Sequence, residues 1–444
     1  MPTNPSGHQR DRRRSIGLVG AAAIGIGGMV GGGIFAVLGV ASEQAGQGTP
    51  IAFAVAGVVA ALTAVSYARL SVRFPSAGGT VIFVDKVFGV GGLTGSLNIV
   101  LWAGYIVTTA LYASAFGNYA ATLFPGGTQP NPFLLRGLIG VGVIVPWVIN
   151  LANAGLVARW ESLVVAVKLA ILMVVIAAGI PNVSASRIVQ STSPGTFAIL
   201  GAGMLIFVAY EGFELIANAS ADIKRPGRTL PRAFALSVGL VIALYVAIAL
   251  VVVRSLTPSQ IAGSADFALA QAASTSLGRF GFILVSISAV LATFSAINAT
   301  LYGSARLSFT IATEGELPAG LETRTWNQPV GLHITTLVGL GMAVALRVAS
   351  ISALASAIFL AVFAVVNAAA FKNAGSARWL KFVAGAGVVG CVASLAIVVA
   401  RSVTEDPIAM VVLIVLLATA LAAEHLVLKR GRHPITDRQS RAGR

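Results

Sequence analysis

The sequence predicts an all-α fold threaded about twelve times through a lipid bilayer, and three observations predict it. The 444 residues are 57% hydrophobic and only 10% charged, with a mean hydropathy of +0.89. One soluble core cannot hide that much apolar surface, because its own exterior must still be hydrated. The apolar residues gather into stretches of about 20, the length that crosses a hydrocarbon layer. Lysine and arginine concentrate in alternate loops between those stretches, the charge bias that orients a membrane protein.

Taken in order, the first stretch, 15–40, follows a polar segment ending in Arg10, Arg12, Arg13 and Arg14. The apolar run after it lacks a small-residue cleavage site with a soluble domain behind it, so Arg10–Arg14 reads as a cytoplasmic anchor. The second, 50–70, ends at Arg69 and Arg73, and Lys86 precedes the third, 92–123. Arg136 opens the fourth, 133–153, and Arg159 separates it from the fifth, 158–181. Arg187 precedes the sixth, 196–219; Lys224, Arg225, Arg228 and Arg232 lead into the seventh, 232–253, which Arg254 closes. The eighth, 278–310, runs from Arg279 to Arg306 and is long enough to tilt steeply or protrude. Arg324 precedes the ninth, 331–347, and Arg347 ends it; the tenth, 350–371, ends at Lys372. Arg378 and Lys381 open the eleventh, 380–400, Arg401 closes it, and the twelfth, 407–428, leads into the basic tail 429–444.

With the N-terminus inside, Arg136, Arg187, Arg254, Arg279, Arg347 and Arg401 fall outside, and the other loop and tail cations fall inside. Both termini are therefore expected in the cytoplasm of a cell bounded by this plasma membrane, and the span number is even. The net charge of +15 is then topology, not a nucleic-acid footprint. The polar stretches 181–195, 254–277 and 311–330 are loop-sized, so no extramembrane domain is expected, and the tail 429–444 reads as disordered beyond its first residues. The single cysteine, Cys391, permits no disulfide and no cysteine metal site. Glycine, at 49 residues, suits close packing of helix backbones in lipid.

Two spans break their own helical pattern. The first reads Gly25-Ile26-Gly27-Gly28-Met29-Val30-Gly31-Gly32-Gly33-Ile34-Phe35. Each glycine costs about 0.8–1 kcal/mol against alanine in a helix, so three in succession predict a break that frees backbone groups inside the membrane. A half-helix beginning just after Gly33 would offer its positive end to an anion; the alternative is a glycine-rich contact surface. The sixth span reads Phe207-Val208-Ala209-Tyr210-Glu211-Gly212-Phe213-Glu214. Two carboxylates beside a glycine in mid-span are either functional or a hydrogen-bonded structural pair. The interruptions occupy matching positions in two five-helix halves, the pattern of an inverted-repeat transporter with a midplane site. Lys168 sits inside the fifth span within Val164–Val175. It is either a built-in cation, fixed or releasing a proton, or a side chain that snorkels to an interface.

These residues resemble the amino acid–polyamine–organocation permeases. The run 25–35 is similar to that family's first-helix signature. Ser66-Tyr67-Ala68-Arg69-Leu70 with Phe74-Pro75-Ser76-Ala77-Gly78-Gly79-Thr80 resembles its loop after helix two. Tyr210–Glu214 with Ala217-Asn218, Asp222-Ile223-Lys224-Arg225-Pro226-Gly227-Arg228 and Pro231-Arg232-Ala233 resembles its helix six and the following loop. Ser304-Ala305-Arg306 through Glu314-Gly315-Glu316-Leu317-Pro318 resembles the end of its helix eight. The resemblance implies an amino acid transporter of the LeuT type: an inverted-repeat core over 15–371, with repeats near 15–181 and 196–371, and peripheral helices over 372–428. It implies a substrate carboxylate on the backbone of Gly31, Gly32 and Gly33, with the amino group at carbonyls near Met29, Val208 and Glu211. Phe207 and Tyr210 stand where the family's aromatics gate or line the pocket, and Lys168 matches the helix-five lysine of sodium-independent members. Gly32 replaces a residue that is often Ser, Thr or Ala, and Glu211 replaces an apolar one.

The expected function is sodium-independent, proton-coupled uptake by alternating access, with Lys168, Glu211 and Glu214 as coupling candidates. Neutral amino acids are favoured and cationic ones are admitted by Glu211. An amino acid/amine exchanger and a transceptor-like sensor are the alternatives. No enzyme chemistry and no cofactor are expected. There is no nucleophile–base pair or metal cluster, and His8, His333, His425 and His433 are scattered. The glycine run lies inside an apolar span with no strand before it, so it is not a dinucleotide fingerprint. The number of copies in the assembly is left open.

Overall fold

The computed structural model describes residues 14–152, 157–182, 195–313, 323–326 and 328–430. All twelve apolar stretches are helical. The first is split into α1 (Leu18–Met29) and α2 (Gly33–Ala45), and α3 (Thr49–Arg73) is the second. A short α4 (Thr80–Phe88) precedes α5 (Gly92–Ala121), α6 (Pro132–Ala152) and α7 (Val157–Gly179), the third to fifth spans. The sixth is split into α8 (Thr196–Leu205) and a short α9 (Leu215–Asn218), joined through a 3-10 turn at Phe207–Tyr210 and bent by 48°. The seventh is α10 (Pro226–Ser255), followed by a short α11 (Pro258–Gly263) and α12 (Ala268–Thr313), which carries the eighth. A two-stranded hairpin, β1 (Arg324–Thr325) with β2 (Gln328–Pro329), precedes α13 (Val330–Ala345), α14 (Val348–Lys372), α15 (Arg378–Glu405) and α16 (Pro407–Arg430).

The stretch 254–277, expected as loop, is instead largely helical. Pro258 occupies the first turn of α11, and the Thr257 side chain caps it by accepting the Gln260 N–H at 3.3 Å. Such a cap and a leading proline start a helix without apolar periodicity. α12 begins at Ala268, ahead of the apolar run, and turns a corner at Gly278, where φ is 60°. Residues 1–13, most of 181–195, half of 311–330, and the tail beyond Arg430 lie outside the described residues.

α5 is the hub, buried along nearly its whole length. It packs against α6, α12, α13 and α14. Apolar side chains such as Phe280, Leu337, Phe382, Val389 and Ile408 point outward instead. A soluble surface would not carry so many, and a lipid-facing one does.

The two broken spans are fastened together. Ahead of α1, the N–H groups of Ser15 and Ile16 donate to the Asp222 carbonyl at 3.0 and 3.1 Å, and the Lys224 N–H donates to the Ile16 carbonyl at 2.9 Å. The loop after the second span docks on the same turn: the Ser76 N–H donates to Ser220 Oγ at 3.0 Å, and that hydroxyl donates to the Ser76 carbonyl at 3.1 Å. Two sequence motifs more than a hundred residues apart are therefore two halves of one joint.

Candidate functional site

The first break begins where the Val30 N–H makes its last α1-type bond, to the Ile26 carbonyl at 2.8 Å. α2 then starts at Gly33, and the Ala36 N–H donates to the Gly32 carbonyl at 3.0 Å. The three N–H groups before it, on Gly33, Ile34 and Phe35, have no intrahelical acceptor. The break expected at the triple glycine is present, and its half-helix starts at Gly33 itself. Gly32 is also a close packing point, because a Cβ there would sit 2.4 Å from Cδ1 of Tyr112. The run is therefore both a helix break and a close packing surface.

The second break runs through Glu211, in extended conformation, and Gly212, with φ +113°. The two breaks cross at Gly28 and Gly212, where a Cβ on Gly212 would lie 2.4 Å from the Gly28 carbonyl carbon. No other residue type fits that crossing in that conformation.

The freed backbone groups are held by side chains from neighbouring helices, as a membrane interior demands. Tyr245 on α10 directs its hydroxyl at the carbonyls of both breaks, 2.6 Å from Met29 O and 3.2 Å from Ala209 O. On α14, Ser352 and Ser356 each donate to the Leu205 carbonyl at 2.7 Å, and Ser356 Oγ accepts the Val208 N–H at 3.0 Å. On α7, Lys168 Nζ donates to the Gly27 carbonyl at 3.1 Å and is 2% exposed. Each leading half-helix thus has a late carbonyl capped by the fifth helix of its own half of the chain. A lysine does it at the first break and serines do it at the second.

The acidic pair is buried here as well. Glu211 Oε2 accepts the Tyr112 hydroxyl at 3.0 Å, and Glu214 Oε2 accepts the Gly212 N–H at 2.8 Å. Phe207 and Tyr210 are buried as well. Phe207 packs edge-on against Phe363, while the Tyr210 hydroxyl donates to the Phe53 carbonyl at 2.8 Å. Met29, Gly31, Gly32, Gly33, Val208, Glu211 and Glu214 are brought together, and Lys168 reaches their edge through Gly27.

A cavity opens toward the breaks from each face. On the face of the N-terminus, one of about 870 Å3 reaches Gly27 and is lined by Asn150, Asn298, Asn218, Tyr105 and Val165. From the opposite face, one of about 770 Å3 reaches Leu205 and Ser114 and carries Glu43, Arg347, Arg401 and Glu405. The segments lining each cavity are ones that an alternately threaded chain places together on that cavity's own side. Among the described residues no cluster of three or more His, Cys, Asp or Glu side chains is placed to hold a metal ion.

Tyr112, Tyr245, Ser352 and Ser356 are absent from the sequence reading of the site. The signal for the serines was their spacing of four inside an apolar span, which puts both on one helix face. The tyrosines had none, since a tyrosine in an apolar span is as often packing as function.

Interrupted helices whose ends are capped from neighbouring spans, with a cavity on either side, define a multi-pass α-helical membrane protein of the transport class. The profile of the amino acid permease family matches residues 16–426, and the chain belongs to that family. It is 35% identical over 360 residues to the inner membrane transport protein YbaT of Escherichia coli, covering 81% of this chain and 84% of that one. It is 32% identical over 358 residues to an uncharacterised protein of Methanocaldococcus jannaschii, covering 80% and 82%. The mouse large neutral amino acids transporter small subunit 2 is 30% identical over 325 residues, covering 70% of this chain and 60% of its own length. The chloroplastic cationic amino acid transporter 9 of Arabidopsis thaliana is 30% identical over 324 residues, covering 69% and 56%. The chain is thus a membrane-embedded amino acid transport protein.

Proposed function

We propose that this protein takes up amino acids across the plasma membrane by sodium-independent, proton-coupled alternating access, with both termini in the cytoplasm. The core is read as a LeuT-type inverted repeat over 15–371, with 15–181 and 196–371 as the repeats and 372–428 as peripheral helices. The matched capping of the two breaks by α7 and α14 supports that reading. The substrate carboxylate binds the free N–H groups that open α2, around Gly31, Gly32 and Gly33. Its ammonium takes carbonyls beside Met29, Val208 and Glu211. Transport rocks the bundle of helices one, two, six and seven, whose joint through Ser15, Ile16, Asp222, Ser76 and Ser220 makes it move as one body.

One observation carries the coupling. Lys168 holds the carbonyl end of α1 through Gly27, and Gly27 lines the cavity on the N-terminal face. An ammonium donates strongly to that carbonyl, while a neutral amine is a far weaker clamp. Loss of the proton to the cavity releases α1, and uptake of a proton fastens it again. The test is uptake into proteoliposomes under an imposed proton gradient. Lys168→Ala is expected to abolish gradient-driven accumulation while exchange of preloaded substrate persists. Undiminished accumulation in that variant refutes the role. Wild-type uptake that needs preloaded substrate and ignores the gradient makes the protein an exchanger.

A further inference from the structure

Glu211 is the chemical oddity of the site. It is 6% exposed at the centre of the span, and among the described residues no ion pair reaches it, the recorded one joining Arg401 to Glu405. Its recorded hydrogen-bond donor is the Tyr112 hydroxyl. A carboxyl held in the membrane interior by a neutral hydroxyl, beside a second carboxyl on Glu214, is a poor structural device. Two apolar residues of similar volume would pack there at no electrostatic cost.

The Tyr112 ring gives the site a scale. Its Cδ1 edge lies against Gly32 in the anion cradle, and its hydroxyl lies on Glu211. The cradle and the acid are therefore a tyrosine ring apart. An amino acid with its carboxylate in the cradle has its α-ammonium only two bonds away, next to the Met29 and Ala209 carbonyls that Tyr245 holds. Glu211 lies instead at the hydroxyl end of the Tyr112 ring, away from the ring edge that meets Gly32. What reaches it is the end of the substrate's side chain, in place of the tyrosine hydroxyl.

We propose that Glu211 and Tyr112 form the subsite for a cationic side-chain terminus, making amino acids with a terminal primary amine the preferred substrates. This rests on the transport reading above. In the substrate-free arrangement the Tyr112 hydroxyl occupies the amine's place on the carboxylate. A bound substrate displaces it, and the ring swings off Gly32 to make room. The ammonium then gives the buried acid the charge partner that the protein does not supply.

The probes are L-ornithine and L-norleucine, which match in length and differ in the terminal group. Each is measured as initial uptake into proteoliposomes at fixed pH. The wild type is expected to favour ornithine in kcat/KM, and Glu211→Gln to reduce that preference by about tenfold to a hundredfold, the worth of a charge-assisted hydrogen bond. Tyr112→Phe is expected to raise the preference for ornithine, because the competing hydroxyl is gone. A structural role would lower both substrates together. A preference unchanged in Glu211→Gln, or a parallel fall for both substrates in Tyr112→Phe, overturns the subsite. If Glu211→Gln does not elute as a monodisperse protein, the sign of the Tyr112→Phe effect decides alone. If wild-type vesicles move neither amino acid, the transport reading fails, and thermal stabilisation in detergent settles the subsite separately. Stabilisation of the wild type by ornithine but not norleucine, lost in Glu211→Gln, upholds it, and equal or absent stabilisation overturns it.

Discussion

Removing a single oxygen tests whether the two breaks are held as one unit. In Tyr245→Phe the ring stays and packs as before against Phe53 and Tyr210. Only the hydroxyl between Met29 O and Ala209 O is lost. A phenol has one proton, so the shorter contact, 2.6 Å to Met29 O, carries most of the bond, and the 3.2 Å contact is secondary. The loss leaves a buried carbonyl at the first break without its donor, which costs about 1–3 kcal/mol. Because the carbonyl belongs to the break itself, the cost falls on the geometry of the proposed carboxylate cradle as well as on global stability. Thermal melting in detergent should fall, and apparent KM for uptake should rise by about tenfold. The control is Ser66→Ala, which removes the 2.6 Å bond from Ser66 to the buried Asn367 amide oxygen and touches neither Met29 O nor Ala209 O. That variant should lose comparable stability with KM unchanged. If Tyr245→Phe melts and transports as the wild type does, or if the two variants shift KM alike, the hydroxyl does not register the breaks and the reasoning fails.

Three further substitutions probe the same construction. Gly212→Ala forces a side chain into φ +113° and places its Cβ 2.4 Å from the Gly28 carbonyl carbon. A loss of about 2–4 kcal/mol and of uptake is expected, read by size-exclusion after heating; a protein that melts normally would mean the crossing is looser than described. Ser356→Ala removes both the donor to Leu205 O and the acceptor of the Val208 N–H. It should cost about 1–3 kcal/mol, with partial recovery in Ser356→Thr, which restores a hydroxyl; equal melting of the two variants would count against the hydrogen bonds. Gly32→Ala drives a methyl into the Tyr112 ring at 2.4 Å and should depress uptake of every amino acid alike. Selective loss of one substrate class would instead place Gly32 in side-chain recognition.

The spans were legible because lipid imposes one rule on all of them: about 20 apolar residues with every backbone group bonded internally. The exceptions to that rule were legible for the same reason. Three consecutive glycines, an acid–glycine–aromatic–acid run and a lone lysine each violate it, and all lie at or beside the breaks. What completes the breaks was not legible. Tyr245, Tyr112 and Ser356 obey the ordinary statistics of a membrane helix. Their importance lies in which carbonyl or carboxyl they meet from 36 to 216 residues away along the chain, a tertiary fact with no local signature. The helix at 258–263 was missed for the opposite reason, since a cap and a proline start it with no apolar period to read.

The unequal capping of two otherwise matching breaks has a mechanical consequence. At the sixth span the cap is a pair of serines, whose hydroxyls do not change charge in any accessible pH range, so that joint is permanent. At the first span the cap is an amine, which can be charged or neutral, so on the proposed mechanism that joint alone is adjustable. A symmetric pair of adjustable caps would let either half-helix swing and would leak. A symmetric pair of permanent ones would freeze the protein in one state. On the proposed mechanism, one of each would confine the proton-sensitive movement to α1, on the face where the cavity reaches Gly27. Transferring the lysine should therefore not transfer the function. Combining Lys168→Ser with Ser356→Lys would make the first cap permanent and put the adjustable one at Leu205, under the opposite cavity. That double variant is expected to fold less stably and to lose proton-driven accumulation, while accumulation at wild-type rates would show that the position of the charge at the breaks is immaterial.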